Sequence, residues 1–111
     1  MAKIYFEKLT RLMTDLELEK QVDVQLEVKH FFSGAALYAN EVICISWSPM
    51  GLAFKLPESE VVELISCGKA RPLRYFTKGH VKKGYVMFEN PDMENNSQWE
   101  EYFLKAIEQV T

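Results

Sequence analysis

The apolar residues change their period twice along the chain, and this limits the fold more than any other feature. Near the start, Tyr5, Leu9, Leu12, Met13 and Leu16 fall at i, i+4, i+7, i+8 and i+11. Near the end, Trp99, Tyr102, Phe103, Ala106, Ile107 and Val110 fall at i, i+3, i+4, i+7, i+8 and i+11. Both stripes fit one face of a helix. Between them the spacing drops to two. Leu52, Phe54 and Leu56 alternate with Ala53 and Lys55, as on a strand whose successive side chains point to opposite faces. Helical ends around a strand-rich middle predict an α+β domain.

The elements can be placed in order. A first helix is expected over roughly residues 3–19, with Lys3/Glu7 and Glu7/Arg11 four apart on its solvent side. Residues 23–32 alternate loosely, as a strand would. Asn40-Glu41 offers a tight turn between strands at 36–39 and 42–47, and the second of these, apolar on both faces, is expected to be central. Ser48-Pro49-Met50-Gly51 reads as another turn, with proline suited to its second position. Pro57-Glu58-Ser59-Glu60 opens a short helix, because proline and acids suit a first helical turn. Val61, Val62, Leu64 and Ile65 form its expected inner face, and Gly68 its terminator. Strands are expected at 71–77 and 84–89, joined by a loop. Ser97 with Glu100 reads as a capping box for the last helix, and Glu101 with Lys105 as a pair on its outer face. The order is helix, four strands, helix, two strands, helix. It predicts an antiparallel sheet of about six strands covered on one face by helices.

With 111 residues, the chain suits a single domain over 1–111. Its 48% hydrophobic content can build a core without disulfides or a structural metal. Cys44 and Cys67 form no CxxC, and neither histidine stands at zinc-finger spacing, so reduced core thiols and no metal site are expected. The first residues hold no long apolar segment. No apolar run approaches the ~20 residues of a membrane helix. The expectation is a soluble, cytoplasmic protein without a membrane partner.

The Ser33-Gly34-Ala35-Ala36 step could bend a strand or cradle an anion. Glycine tolerates positive φ, and small residues leave room for a close neighbour. A phosphate loop needs a richer glycine pattern running into a helix. Here a strand follows, so a bulge, bend or close backbone approach is expected.

The same segment carries a resemblance. Phe32-Ser33-Gly34-Ala35-Ala36-Leu37-Tyr38 resembles the F-G-G-x-G-L-Y step of the amino-terminal domain of the TfoX/Sxy competence-regulator family. The similarity continues through the apolar strand at 42–47, Leu52-Ala53-Phe54-Lys55-Leu56 and the short helix. It then takes in Leu73-Arg74-Tyr75-Phe76, Lys78-Gly79, Gly84-Tyr85-Val86 and a closing helix from near Trp99. It spans roughly residues 28–110 and rests on the order of these signals. The family's first and third glycines are Ser33 and Ala36 here, and its helical carboxy-terminal domain has no counterpart. The resemblance implies a regulatory role at competence genes beside a transcription regulator such as the cyclic-AMP receptor protein. It supplies no catalytic residues.

Charge is the strongest local anomaly. Residues 69–83 hold Lys69, Arg71, Arg74, Lys78, Lys82 and Lys83 and no acid. The other 96 residues carry 7 basic and 16 acidic side chains. The net charge of −3 lacks the footprint of a typical DNA-binding domain. A local basic stretch interleaved with Tyr75 and Phe76 can still track phosphates and stack bases. The plainer reading is a solvated hairpin whose charges pair with the acidic helices, or lysine guarding an edge strand. Arg71, Arg74, Lys78, Lys82 and Lys83 are therefore candidates for phosphate or nucleic-acid contact. Trp47, at a strand end beside Ser48-Pro49, is a candidate partner contact. His30 and His80 stand far apart, Asp15, Asp23 and Asp92 form no acid/base pair with a nucleophile, and Cys44 sits in an apolar strand that should raise its pKa. These residues predict no enzyme and no cofactor. The expected function is a noncatalytic protein-interaction or regulatory module, and a homodimer stays open. The alternative is a small-molecule-binding domain with an aromatic pocket between sheet and helices.

Overall fold

The computed structural model describes residues 2–31, 34–73, 82–89 and 96–111. The chain runs α1 (Ala2–Asp15), α2 (Leu18–Gln21), β1 (Leu26–Phe31), β2 (Gly34–Ala39), β3 (Val42–Ser48), β4 (Gly51–Lys55), α3 (Glu58–Ser66), β5 (Arg71–Leu73), β6 (Lys82–Phe88) and α4 (Asn96–Val110). It is an α+β fold with one six-stranded antiparallel sheet, in the order β1-β2-β3-β4-β6-β5. β3 lies inside the sheet, as its two apolar faces require.

The expected first helix is two pieces. Glu17 takes a left-handed conformation (φ 52°), which an α-helix cannot continue through. The break lets Leu16 and Leu18 both enter the core, although residues two apart on one helix face different ways. The Lys3–Glu7 pair forms on the outer side of α1 at 4.0 Å.

Both tight turns form where the residues suit them. Asn40 and Glu41 have φ of 48° and 70°, the two positive angles of the hairpin turn that matches strand twist. The Asn40 side chain accepts from the Gln25 amide, and its own amide donates to the Gln25 carbonyl. Pro49 and Met50 lie between the paired residues Ser48 and Gly51. Gly68 ends α3 with φ 79°, and the Lys69 and Ala70 amides donate back to the Leu64 carbonyl. Within α3, Leu64 is buried while Val62 points outward at 57% exposure, which corrects the inner face expected for Val62. α4 starts at Asn96, so Ser97 stands inside the first turn, not ahead of it as a cap.

The core lies between the sheet and the helices. Leu9, Leu12 and Leu16 of the first segment meet Ala35, Leu37, Ile45 and Trp47 of the sheet, and Trp99, Phe103, Ala106 and Ile107 of α4 complete it. Phe54 is at the centre of the aromatics. It stacks on Trp99 at 5.9 Å and meets Phe103 edge-on at 5.3 Å. Ala53, Leu73, Tyr85 and Met87 form a second, smaller buried cluster. Its β4 and β6 members alternate with Leu52, Phe54, Val86 and Phe88, so it occupies the opposite face of the sheet.

The Ser33–Ala36 question resolves at Gly34. This residue pairs with Phe31 of β1, and a Cβ built on it would lie 2.0 Å from the Trp47 carbonyl oxygen. Its φ is not in the positive range. The glycine is there for close approach of two backbones. The register shift in this strand falls later, between Leu37 and Tyr38.

Candidate functional site

The basic run begins at the C-terminal end of α3 and enters the sheet at β5, its outermost strand. Arg71 is exposed there, and its guanidinium pairs with Glu89. Arg71 is in register with Met87, and Glu89 is two residues further along the chain, so this is a diagonal cross-strand pair. The pair is exposed on both sides and contributes little to stability, but it offsets one charge of the run. Lys69 borders a recess of about 200 Å³ between α3 and α4, shared with Glu60, Glu63, Glu101 and Lys105. A second cation of the run therefore faces acids.

Lys82 and Lys83 belong to the backbone of β6, with Lys82 in register with Leu73. Arg74 and Lys78 lie outside the described residues, as do Tyr75, Phe76, His80 and Asp92. The structure thus brings Arg71, Lys82 and Lys83 to one end of the sheet, on neighbouring strands.

Trp47 is a correction. It is only 4% exposed and belongs to the main core, where α1 packs over β2 and β3. The Lys8 ammonium sits 5.5 Å from its ring centre, a cation–π contact at the rim of the core. The Ser48-Pro49 turn next to it is at the surface, which is what made a contact role legible, but alternation turns the indole inward.

Between α3 and α4, the Lys105 ammonium holds Glu60 and lies 3.0 Å from Glu101. The hydrogen bond to Glu60, with that to Glu101 second, raises the Lys105 pKa. Glu101–Lys105 is the pair expected on α4; Glu60 was not visible as its third member, because it comes from another helix 45 residues away. This cluster ties α3 to α4.

The cysteines and His30 lie in different environments. Cys44 is fully buried, and burial pushes its thiol up to about 12, with Lys55 opposing slightly. Its Sγ lies 3.5 Å from the Leu37 carbonyl oxygen. Cys67 is exposed. His30 is exposed at the sheet edge with its ring stacked on Phe6 at 4.7 Å. Among the described residues, no three His, Cys, Asp or Glu side chains gather as metal ligands would, and no helix is long and apolar enough to cross a membrane.

No protein-family model, curated protein or solved structure matches the chain.

Proposed function

We propose that the chain is a noncatalytic interaction module that works through a protein partner in gene regulation, with weak phosphate contacts from its basic run. The observation that carries this reading is the place of that run. It enters the sheet at an edge strand, where Arg71 stands exposed opposite Met87 and the backbone of Lys82 pairs two residues further along, at Leu73. β5 has only three residues and a central proline, features that discourage the addition of another strand. Recognition at this edge therefore falls to side chains, of which the exposed Arg71 is the basic one described on β5. The acids facing Lys69 and Arg71 lower the local positive potential, which favours weak contacts over tight ones. The resemblance to the TfoX/Sxy amino-terminal domain supplies the setting, a transcription regulator acting at competence genes. The small-molecule alternative would need space between sheet and helices, where Phe54, Phe103 and Leu9 are fully buried.

The test is binding of a labelled DNA duplex across a salt series, alongside capture of partners from lysate. Affinity should be weak and fall steeply with salt, by a logarithmic slope near one per phosphate contacted. Arg74→Glu with Lys78→Glu should abolish it. The captured partner should be a transcription regulator and should be lost with the same variant. Salt-independent or absent binding, together with capture of no regulator, would overturn the proposal.

A further inference from the structure

We infer that β1 is a self-docking edge through which a second copy of this chain joins the sheet, antiparallel about a two-fold axis at Val28. This surface lies at the opposite end of the sheet from β5 and stands independently of the proposed function.

The backbone decides which groups face the edge. The Asn40 amide donates to the Gln25 carbonyl, and the Gln25 amide meets the Asn40 side chain. Gln25 and Asn40 continue the β1–β2 register, in which Leu26 pairs with Ala39 and Phe31 with Gly34. In an antiparallel ladder, hydrogen-bonded and non-bonded pairs alternate. Gln25, Glu27, Lys29 and Phe31 therefore direct their amides and carbonyls toward β2. Leu26, Val28 and His30 direct theirs away from the sheet. Among the described residues, no strand pairs with that outer side. β1 has six residues and no proline, unlike β5 at the other end.

These outward groups are self-complementary. With Val28 opposite Val28 of the second copy, Leu26 falls opposite His30. Each of those pairs has its amides and carbonyls directed at the other strand. In between, Glu27 falls opposite Lys29 of the second copy, and Lys29 opposite Glu27. These are non-hydrogen-bonded pairs, whose side chains approach most closely. Every charge on the strand meets its opposite, with no like-charge pair. In the single chain the two side chains already reach for each other along the strand at 3.7 Å, and the Lys29 ammonium lies over the Tyr38 ring at 4.8 Å. On the helix-covered face, Phe6 stacks on His30 and borders a recess of about 310 Å³ along α1, with Thr10 and Thr14 further along it. The two-fold turns this flank of α1 toward the same flank of the second copy.

Sedimentation velocity of the full chain over a concentration series reads the outcome. The wild type should pass from monomer to dimer as concentration rises. Val28→Pro removes an outward amide without touching the bonds to β2; it also trims the packing of Val28 against the core, so it should lower thermal stability somewhat and abolish the dimer. Glu27→Lys places like charges in both cross-strand pairs and should weaken the dimer about tenfold or more. Lys29→Glu should do the same. Mixing these two variants restores opposite charges in every pair, so a heterodimer should form at wild-type strength. Should Val28→Pro fail to fold, the charge-reversed variants carry the test on their own. A wild type that stays monomeric throughout would overturn the inference. So would a dimer indifferent to both charge reversals, or a mixture that fails to recover.

Discussion

Replacing Gly34 by alanine adds a single carbon where two backbones of the sheet already crowd together. The Cβ would lie 2.0 Å from the Trp47 carbonyl oxygen, 2.8 Å from the Ser48 Cα and 2.9 Å from the Trp47 carbonyl carbon. Ordinary contacts between such atoms are over a full ångström longer than the first of these distances. All three neighbours are backbone, so no side chain can swing aside. β2 must move away from β3, where Ala35 is in register with Trp47 and Ala36 with Ser46. Overpacking of this kind costs about 1–3 kcal/mol, and each ladder hydrogen bond lost adds about 1 kcal/mol. A loss of about 3 kcal/mol follows if the strand end separates by one bond. In a domain of this size that lowers Tm by roughly 12–24 °C. The opposite outcome has its own magnitude, because Gly→Ala at an unstrained site stabilises by about 0.4–1 kcal/mol through the unfolded chain. Urea titration followed by circular dichroism measures the change, with the slope unchanged if the unfolded state is unaffected. A Gly34→Ala protein as stable as the wild type, or more stable, would refute the close-approach account and restore a loop with freedom to rearrange.

Glu41 holds φ 70° at the second turn position, where glycine is unstrained, so Glu41→Gly should stabilise by about 0.5–1 kcal/mol in the same titration. Cys44 keeps its proton in the folded chain up to about 12 against an ordinary 9.0, so its contribution is intact below pH 9 and is lost as pH rises from there toward 12. The slope approaches ~1.4 kcal/mol per pH unit; Cys44→Val should flatten that part of the stability profile, and a thiol reagent at pH 8 should titrate Cys67 alone until the protein unfolds. Lys105→Met leaves Glu60, one of whose oxygens is already buried without a partner among the described residues, without its ion pair to Lys105; screening at this partly exposed site holds the expected loss to about 1 kcal/mol, and thermal melts at low and high salt should show the difference shrinking as salt rises.

The candidate site was less legible than the fold. The basic run stood out in composition, yet sequence alone could not show that Arg71 meets Glu89 or that Lys69 faces the acids of α3 and α4. Those acids arrive from other elements. Trp47 is a candidate contact from its place beside a Ser-Pro turn, but its orientation is set by the pairing of β3 with β2 and β4. The charge pattern of β1 was readable as Glu27-Val28-Lys29. Its significance came only from knowing that the strand is at an edge and which of its amides point outward.

Local chemistry was enough to specify the amphipathic helices, the Asn40-Glu41 and Pro49 turns, the glycine stop after α3 and the alternation of β4, because period and turn geometry act over a few neighbouring residues. Long-range packing alone decided the break at Glu17, the insertion of β6 between β4 and β5, the shift after Leu37 and the backbone crowding at Gly34. Each of these depends on which distant segment lies alongside, and the free energy of that contact is absent from any short window of residues.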